Sequence, residues 1–212
     1  MLGKTVNADA MTRHSWTQDE KQAITTFAEG DPTENPWVAG KPRIEQMDVV
    51  PYDSLWAVRY QYEHERIQHA LGATALSIVH VGSNAVPDLQ AKPVIDIDLI
   101  VADPTDEASY VPALEKLGYT LTVREPSWYQ HRMLRHETPR VNLHVFAAGC
   151  AEHIRHLLFR DWLCNHEADR LRYAASKLSA AEATNNAQDY NRSKHEVVQA
   201  IYQVLFTAYG LR

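Results

Sequence analysis

Two short stretches carry residues whose types and spacing suit chemistry. Gly82-Ser83 closes one apolar run, LSIVHV, and Asp96 and Asp98 lie inside the next, VIDIDLIV. Aspartate is a poor strand former and neighbouring carboxylates repel, so two of them in an apolar run ask for a cause. Residues i and i+2 of a strand share a face. Asp96 and Asp98 therefore lie on one face, and Ile95, Ile97, Leu99 and Val101 on the other. The apolar face is the one to pack on helices, which leaves the carboxylates facing an opening, close enough to chelate a divalent cation together. A hard cation such as Mg²⁺ takes carboxylate, phosphate and water oxygens, and its charge removes the repulsion. Gly82-Ser83 supplies the complementary half. Glycine lets backbone approach a ligand, N–H groups there hold phosphate, and Ser83 adds a hydroxyl. For Asp-x-Asp alone the alternative is two solvated carboxylates on a wet sheet. Its combination with strand–Gly-Ser points to a metal–phosphate site, present or ancestral.

The elements that position these groups follow from periodicity. Leu76–Val81 and Val94–Val101 read as strands, with Met47–Val50, Tyr119–Arg124, Tyr129–Leu134 and Arg140–Phe146 as further candidates. Helices are expected at 16–29, where Thr17 and Glu20 form a capping-box pattern, at 54–71 with Ser54 as cap, and at 106–117, stopped by Gly118. From Ala151 the pattern turns helical: 151–163, 166–180 behind Asn165 as cap, and 187–208 with Tyr190, Val197, Ile201 and Leu205 on one stripe. Strands followed by a helical tail indicate α+β. The expected divisions are a peripheral N-terminal arm at 1–45, a core at 46–150 and a C-terminal helical segment at 151–212.

The chain has 212 residues, 45% hydrophobic, with a formal charge of −6, which argues against a general nucleic-acid binder. Residues 1–150 carry 13 basic and 20 acidic side chains, residues 151–212 carry 8 and 7, so the C-terminal part tolerates an anionic ligand better. Nothing reads as a signal or a membrane span, and the two cysteines, Cys150 and Cys164, read as reduced thiols of a cytoplasmic protein.

Strand–Gly-Ser followed by Asp-x-Asp on a strand resembles the signature of the nucleotidyltransferase (polymerase β-like) superfamily. Within it, the chain resembles the GrpB family, also called UPF0157. The matching stretches are VVPYDSLW (49–56), HVGSNAVPDLQAKPVIDI (80–97), LEKLGY (114–119), VNLHVF (141–146), LLFRDWL (157–163) and YNRSKHEVV (190–198). The resemblance implies the minimal nucleotidyltransferase fold, a mixed β-sheet with flanking helices and a C-terminal helical segment. It implies Gly82, Ser83, Asp96 and Asp98 in the phosphate and metal positions; Asn84, Lys92 and Lys194 are further candidate nucleotide contacts. Departures are present. The family commonly has Thr and Gly where this chain has Asn84 and Asp88, and often Arg at Cys164. Active members carry a third carboxylate on a later strand, whereas the polar face of 140–146 offers Arg140, Asn142 and His144. His144 stands open as metal ligand, base or substrate contact.

Other candidates have blander readings. His153 and His156, three apart on one helix, could chelate zinc, but no acidic or thiol ligand is fixed nearby in sequence. His80 reads as a buried, hydrogen-bonded support for the loop. Lys92 has a ligand phosphate or Asp88 for a partner, Arg160 and Asp161 suggest an internal ion pair, and Lys177 a solvated surface. Two functions follow. One is transfer of a nucleotidyl group from an NTP, ATP foremost, to an unidentified small acceptor, dependent on Mg²⁺ or Mn²⁺, with Asp96 and Asp98 on the metal and His144 orienting the acceptor. The other is a non-catalytic nucleotide- or phospholigand-binding module. Neither needs a membrane, and both are compatible with a homo-oligomer.

Overall fold

The computed structural model describes residues 15–41, 48–183 and 194–212. The expected strand start at Met47 and helix start at 187, with Tyr190, lie outside these. The first helix, α1 (Gln18–Thr25), has both halves of its capping box: Glu20 N–H donates to Thr17 Oγ1 and Thr17 N–H to Glu20 Oε2. Helix α2 (Leu55–Leu71) is capped differently from expectation. Ser54 makes no capping bond, and Asp53 Oδ1 accepts the Leu55 N–H at 2.9 Å. Val50 forms a single antiparallel bridge to Ala91 rather than a strand.

Five strands follow: β1 (Ser77–Val81), β2 (Ile95–Val101), β3 (Thr120–Glu125), β4 (His131–Glu137) and β5 (Arg140–Ala147). The fourth begins later than periodicity suggests because Tyr129 and Gln130 take φ of 55° and 54°, which no strand accommodates. Between β2 and β3 the expected helix is split into a 3-10 turn at 107–109 and the short α3 (Val111–Lys116). The tail holds α4 (Ala151–Asn165), α5 (Glu167–Ala183) and α6 (His195–Ala208). Asn165 is the last residue of α4, not the cap of α5, and its amide donates to the Asp161 carbonyl at 2.7 Å.

The sheet order is β1-β2-β5-β4-β3, with β2 and β5 parallel and every other pair antiparallel. This is the expected mixed α+β sheet. Ile95, Ile97, Leu99 and Val101 pack with Trp56, Ile67 and Leu71 of α2, and with Leu114 of α3, in one core. Each such side chain contributes roughly 1.5–3 kcal/mol on burial. A second core joins α4, α5 and α6 to Ile24 of α1 and to Val86 and Leu89. Ile24 of the N-terminal arm is thus packed against the helical tail. Arg155 of α4, fully buried, donates to the carbonyls of Ala23, Ile24 and Thr26 and fastens α1 there. Among the described residues, no helix is long and apolar enough to cross a membrane.

Candidate functional site

The register of β2 decides what each aspartate meets. Asp96 lies opposite Val81 and Asn142, Asp98 opposite Val79 and His144. Val79 and Val81 pack on Leu157, so α4 lies across this end of the sheet. The chain leaves β1 through Gly82 at φ 71°, a conformation open to glycine without strain. A Cβ there would stand 2.6 Å from Asp96 Oδ2, so only hydrogen fits and the loop backbone comes directly beside that carboxylate. Ser83 opens a 3-10 turn, and its hydroxyl is 3.5 Å from Tyr173 Oη of α5. Asn84 is buried and donates to the Lys92 carbonyl at 3.0 Å, so its amide shapes the loop.

The expectation that both carboxylates face an opening is corrected by α4. Asp98 is fully buried. His153 Nδ1 lies 2.8 Å from its Oδ2, and His156 Nδ1 lies 2.9 Å from Oδ2 and 3.1 Å from Oδ1. Burial alone would raise the Asp98 pKa. The charge of His156 and the two imidazole hydrogen bonds outweigh it and hold the carboxyl well below its ordinary range. Burial likewise opposes charge on His156, yet the Asp98 carboxylate pushes that imidazole up to about 9. The acidic partner that sequence did not offer the two histidines is Asp98. Asp96 is different: burial raises its pKa, against a bond from Asn142 Nδ2 to Oδ1 at 2.9 Å and the nearby charge of Lys92.

This donor set does not fit a resident Mg²⁺ or Mn²⁺ shared by two carboxylates. Such an ion needs several hard oxygens in a near-octahedral shell. Asp98 is committed to two imidazoles, and Asp96 turns a single oxygen toward Gly82. Among the described residues, no three His, Cys, Asp or Glu side chains form a group able to hold a metal ion.

Cationic groups collect instead around Tyr173, whose hydroxyl reaches Ser83. Lys177 of α5 is buried, not solvated; it donates to the Gln90 carbonyl, and its Nζ stands 4.7 Å over the Tyr173 ring. Lys194, preceding α6, stands 5.9 Å over the same ring. Burial, then the charge of Lys194, lowers the Lys177 pKa to about 7. The charges of Lys92 and Lys194 both reach Asp96.

His144 lies beside Asp98 on the parallel neighbour strand, and its Nδ1 is 3.0 Å from His131 Nε2. His131 Nδ1 is in turn 2.6 Å from Glu125 Oε2. Burial, then the His131 charge, lowers the His144 pKa to about 3. Sequence reading missed Glu125 and His131, since only the pairing of three strands brings them to His144. His80 is corrected in part. Its ring stacks on Tyr60 at 4.6 Å, but its Nε2 is buried without a hydrogen-bond partner. Arg160 and Asp161 form the internal ion pair expected, at 2.7 Å.

A five-stranded mixed sheet, with Gly-Ser beside Asp-x-Asp and helices bringing lysines to the loop, defines an α+β protein consistent with the nucleotidyltransferase superfamily. A family model described as GrpB protein matches residues 46–204, and the chain belongs to the GrpB family. It is 44% identical over 162 residues to a UPF0157 protein of Halalkalibacterium halodurans, covering 76% of this chain and 83% of that one. A UPF0157 protein of Streptomyces coelicolor is 39% identical over 165 residues, covering 77% and 87%. The crystal structure of conserved protein GrpB from Enterococcus faecalis superposes with a TM-score of 0.67 at 25% identity, covering 76% of this chain and 99% of that one.

Proposed function

We infer that this chain is a phospholigand-binding module, taking a nucleoside triphosphate such as ATP at the Gly82-Ser83 loop. One observation carries the reading: Lys177 and Lys194, from separate parts of the helical tail, converge on Tyr173, which reaches Ser83. Backbone N–H groups of a glycine turn and lysine ammoniums are the donors that phosphate oxygens accept. Lys92 adds a third cation beside the same loop. The Mg²⁺ of a nucleotide arrives here as part of the ligand. With Asp98 paired to His156, the lysines supply the balancing charge. Free thiols at Cys150 and Cys164 accord with action in the cytoplasm.

A second reading, nucleotidyl transfer to a small acceptor, is favoured by the place of His144, directly across from Asp98 on the neighbouring strand. Calorimetric titration with ATP, GTP, CTP, UTP and pyrophosphate, with and without Mg²⁺, separates the readings when coupled to pyrophosphate detection. The module predicts saturable binding without pyrophosphate release, weakened about tenfold or more by Lys177→Met. Release with an added alcohol or amine establishes transfer. Absence of binding by all five ligands removes both.

A further inference from the structure

Over β3, β4 and β5 the structure holds a cleft of about 590 Å³, within the range of small-molecule sites. Gly82, Ser83 and the lysines do not line it. One wall is the segment 28–37, held to the sheet by the bridge of Trp37 to Val123 and by the Trp128 indole, which donates to the Ala28 carbonyl at 3.0 Å. Trp37 and Trp128 line the cleft with aromatic surface, over the buried Phe146. Its floor is the chain of groups Glu125, His131 and His144.

Hydrogen-bond logic limits how that chain is protonated. A carboxylate only accepts, so His131 carries its proton on Nδ1 toward Glu125. With His131 Nε2 as the acceptor, His144 donates from Nδ1 and its own Nε2 is left with a lone pair. This is the reverse of the tautomer an isolated histidine prefers. Stacking holds the rings: His131 on His144 at 5.2 Å and on Phe146 at 4.9 Å.

We propose that this cleft is a second ligand site, for a small organic ammonium ion, and that Glu125 and His131 are positioning residues that leave His144 Nε2 as its hydrogen-bond acceptor. An ammonium supplies the donors that this acceptor needs, and aromatic faces attract a cation. Among the described residues no Lys or Arg lines the cleft, and Glu29, Asp31 and Glu34 stand along the wall. His156 closes one end, its charge paired with Asp98. The proposal does not rest on phosphate binding at Ser83.

Imidazole ¹⁵N spectra of the full chain at pH 8, with His144 assigned by His144→Gln, give the first test. His144 is expected to carry its proton on Nδ1 in the wild type and to shift toward Nε2–H in Glu125→Gln. The second test titrates benzylammonium and, as an anion with the same ring, benzenesulfonate. Benzylammonium is expected to move the Trp128 indole and His144 Nε2 resonances saturably, and benzenesulfonate neither. Glu125→Gln and His144→Gln are expected to weaken benzylammonium about tenfold or more, and Glu125→Gln to leave any ATP affinity unchanged. A wild-type His144 protonated on Nε2, equal response to the two probes, or no response to either overturns the proposal.

Discussion

His156 Nδ1 stands 2.9 Å from Asp98 Oδ2, across 58 residues of chain, and the carboxylate is fully enclosed between α4 and the sheet. The carboxylate read as a metal ligand has its counter-charge in the protein. Asp98→Asn leaves the part-buried His156 imidazolium with Glu152, at 3.6 Å, as its remaining ion-pair partner and is expected to cost about 1–3 kcal/mol in urea denaturation. Adding His156→Gln recovers much of the loss. The signs follow from the two shifts. His156, raised, contributes stability that is complete below about 6.5 and lost as pH rises through about 9; Asp98, lowered, contributes stability lost as pH falls below the carboxylate range. The pair therefore contributes most near neutrality. A single Asp98→Asn variant as stable as wild type refutes this account.

His80 loads the acid side. Burial first, then the Arg160 charge, lowers its pKa to about 3. Its neutral form is the folded one, so stability is lost as pH falls from about 6.5 toward 3. His80→Phe keeps the stack on Tyr60 and removes the partnerless Nε2. The gain in calorimetric unfolding free energy is expected to be about 1–2 kcal/mol larger at pH 5 than at pH 8. Equal gains at both pH values exclude titration of this ring as the cause.

On the proposed reading Lys177 would couple phosphate binding to a proton. At about 7 it is largely neutral at pH 8, and a bound phosphate raises its pKa. Affinity therefore falls as pH rises above 7, and binding at pH 8 takes up close to one proton. Calorimetry of ATP binding in two buffers of different ionisation enthalpy measures that proton, and Lys177→Met abolishes it. Zero uptake by the wild type would show that Lys177 is not at the phosphate.

Two positions flanking the loop answer oppositely to a change in Cβ. Asp88 sits at φ 63°, so Asp88→Gly is expected to stabilise by about 0.5–1 kcal/mol. Gly82→Ala places a Cβ against Asp96 and is expected to destabilise by roughly 2 kcal/mol or more and to weaken ATP binding. Thermal unfolding of both variants checks the pair; gains or losses of the same sign in the two disagree with this loop geometry.

What the sequence determined by itself was local or periodic. The capping box of Thr17 and Glu20, the alternation that sets Asp96 and Asp98 on one face of β2, and the helical stripes after Ala151 each depend on neighbours within a few residues, where backbone geometry leaves little choice. The nucleotidyltransferase-like sheet was legible for that reason, as was the closeness of Gly82-Ser83 to Asp96. Tertiary structure alone decided what the side chains of that sheet do. Sequence spacing cannot show that α4 lays His153 and His156 on Asp98, that α5 buries Lys177 beside Tyr173, or that three paired strands line up Glu125, His131 and His144. Those partners are set by which faces pack, and packing turned a carboxylate suited to a metal into half of an internal ion pair.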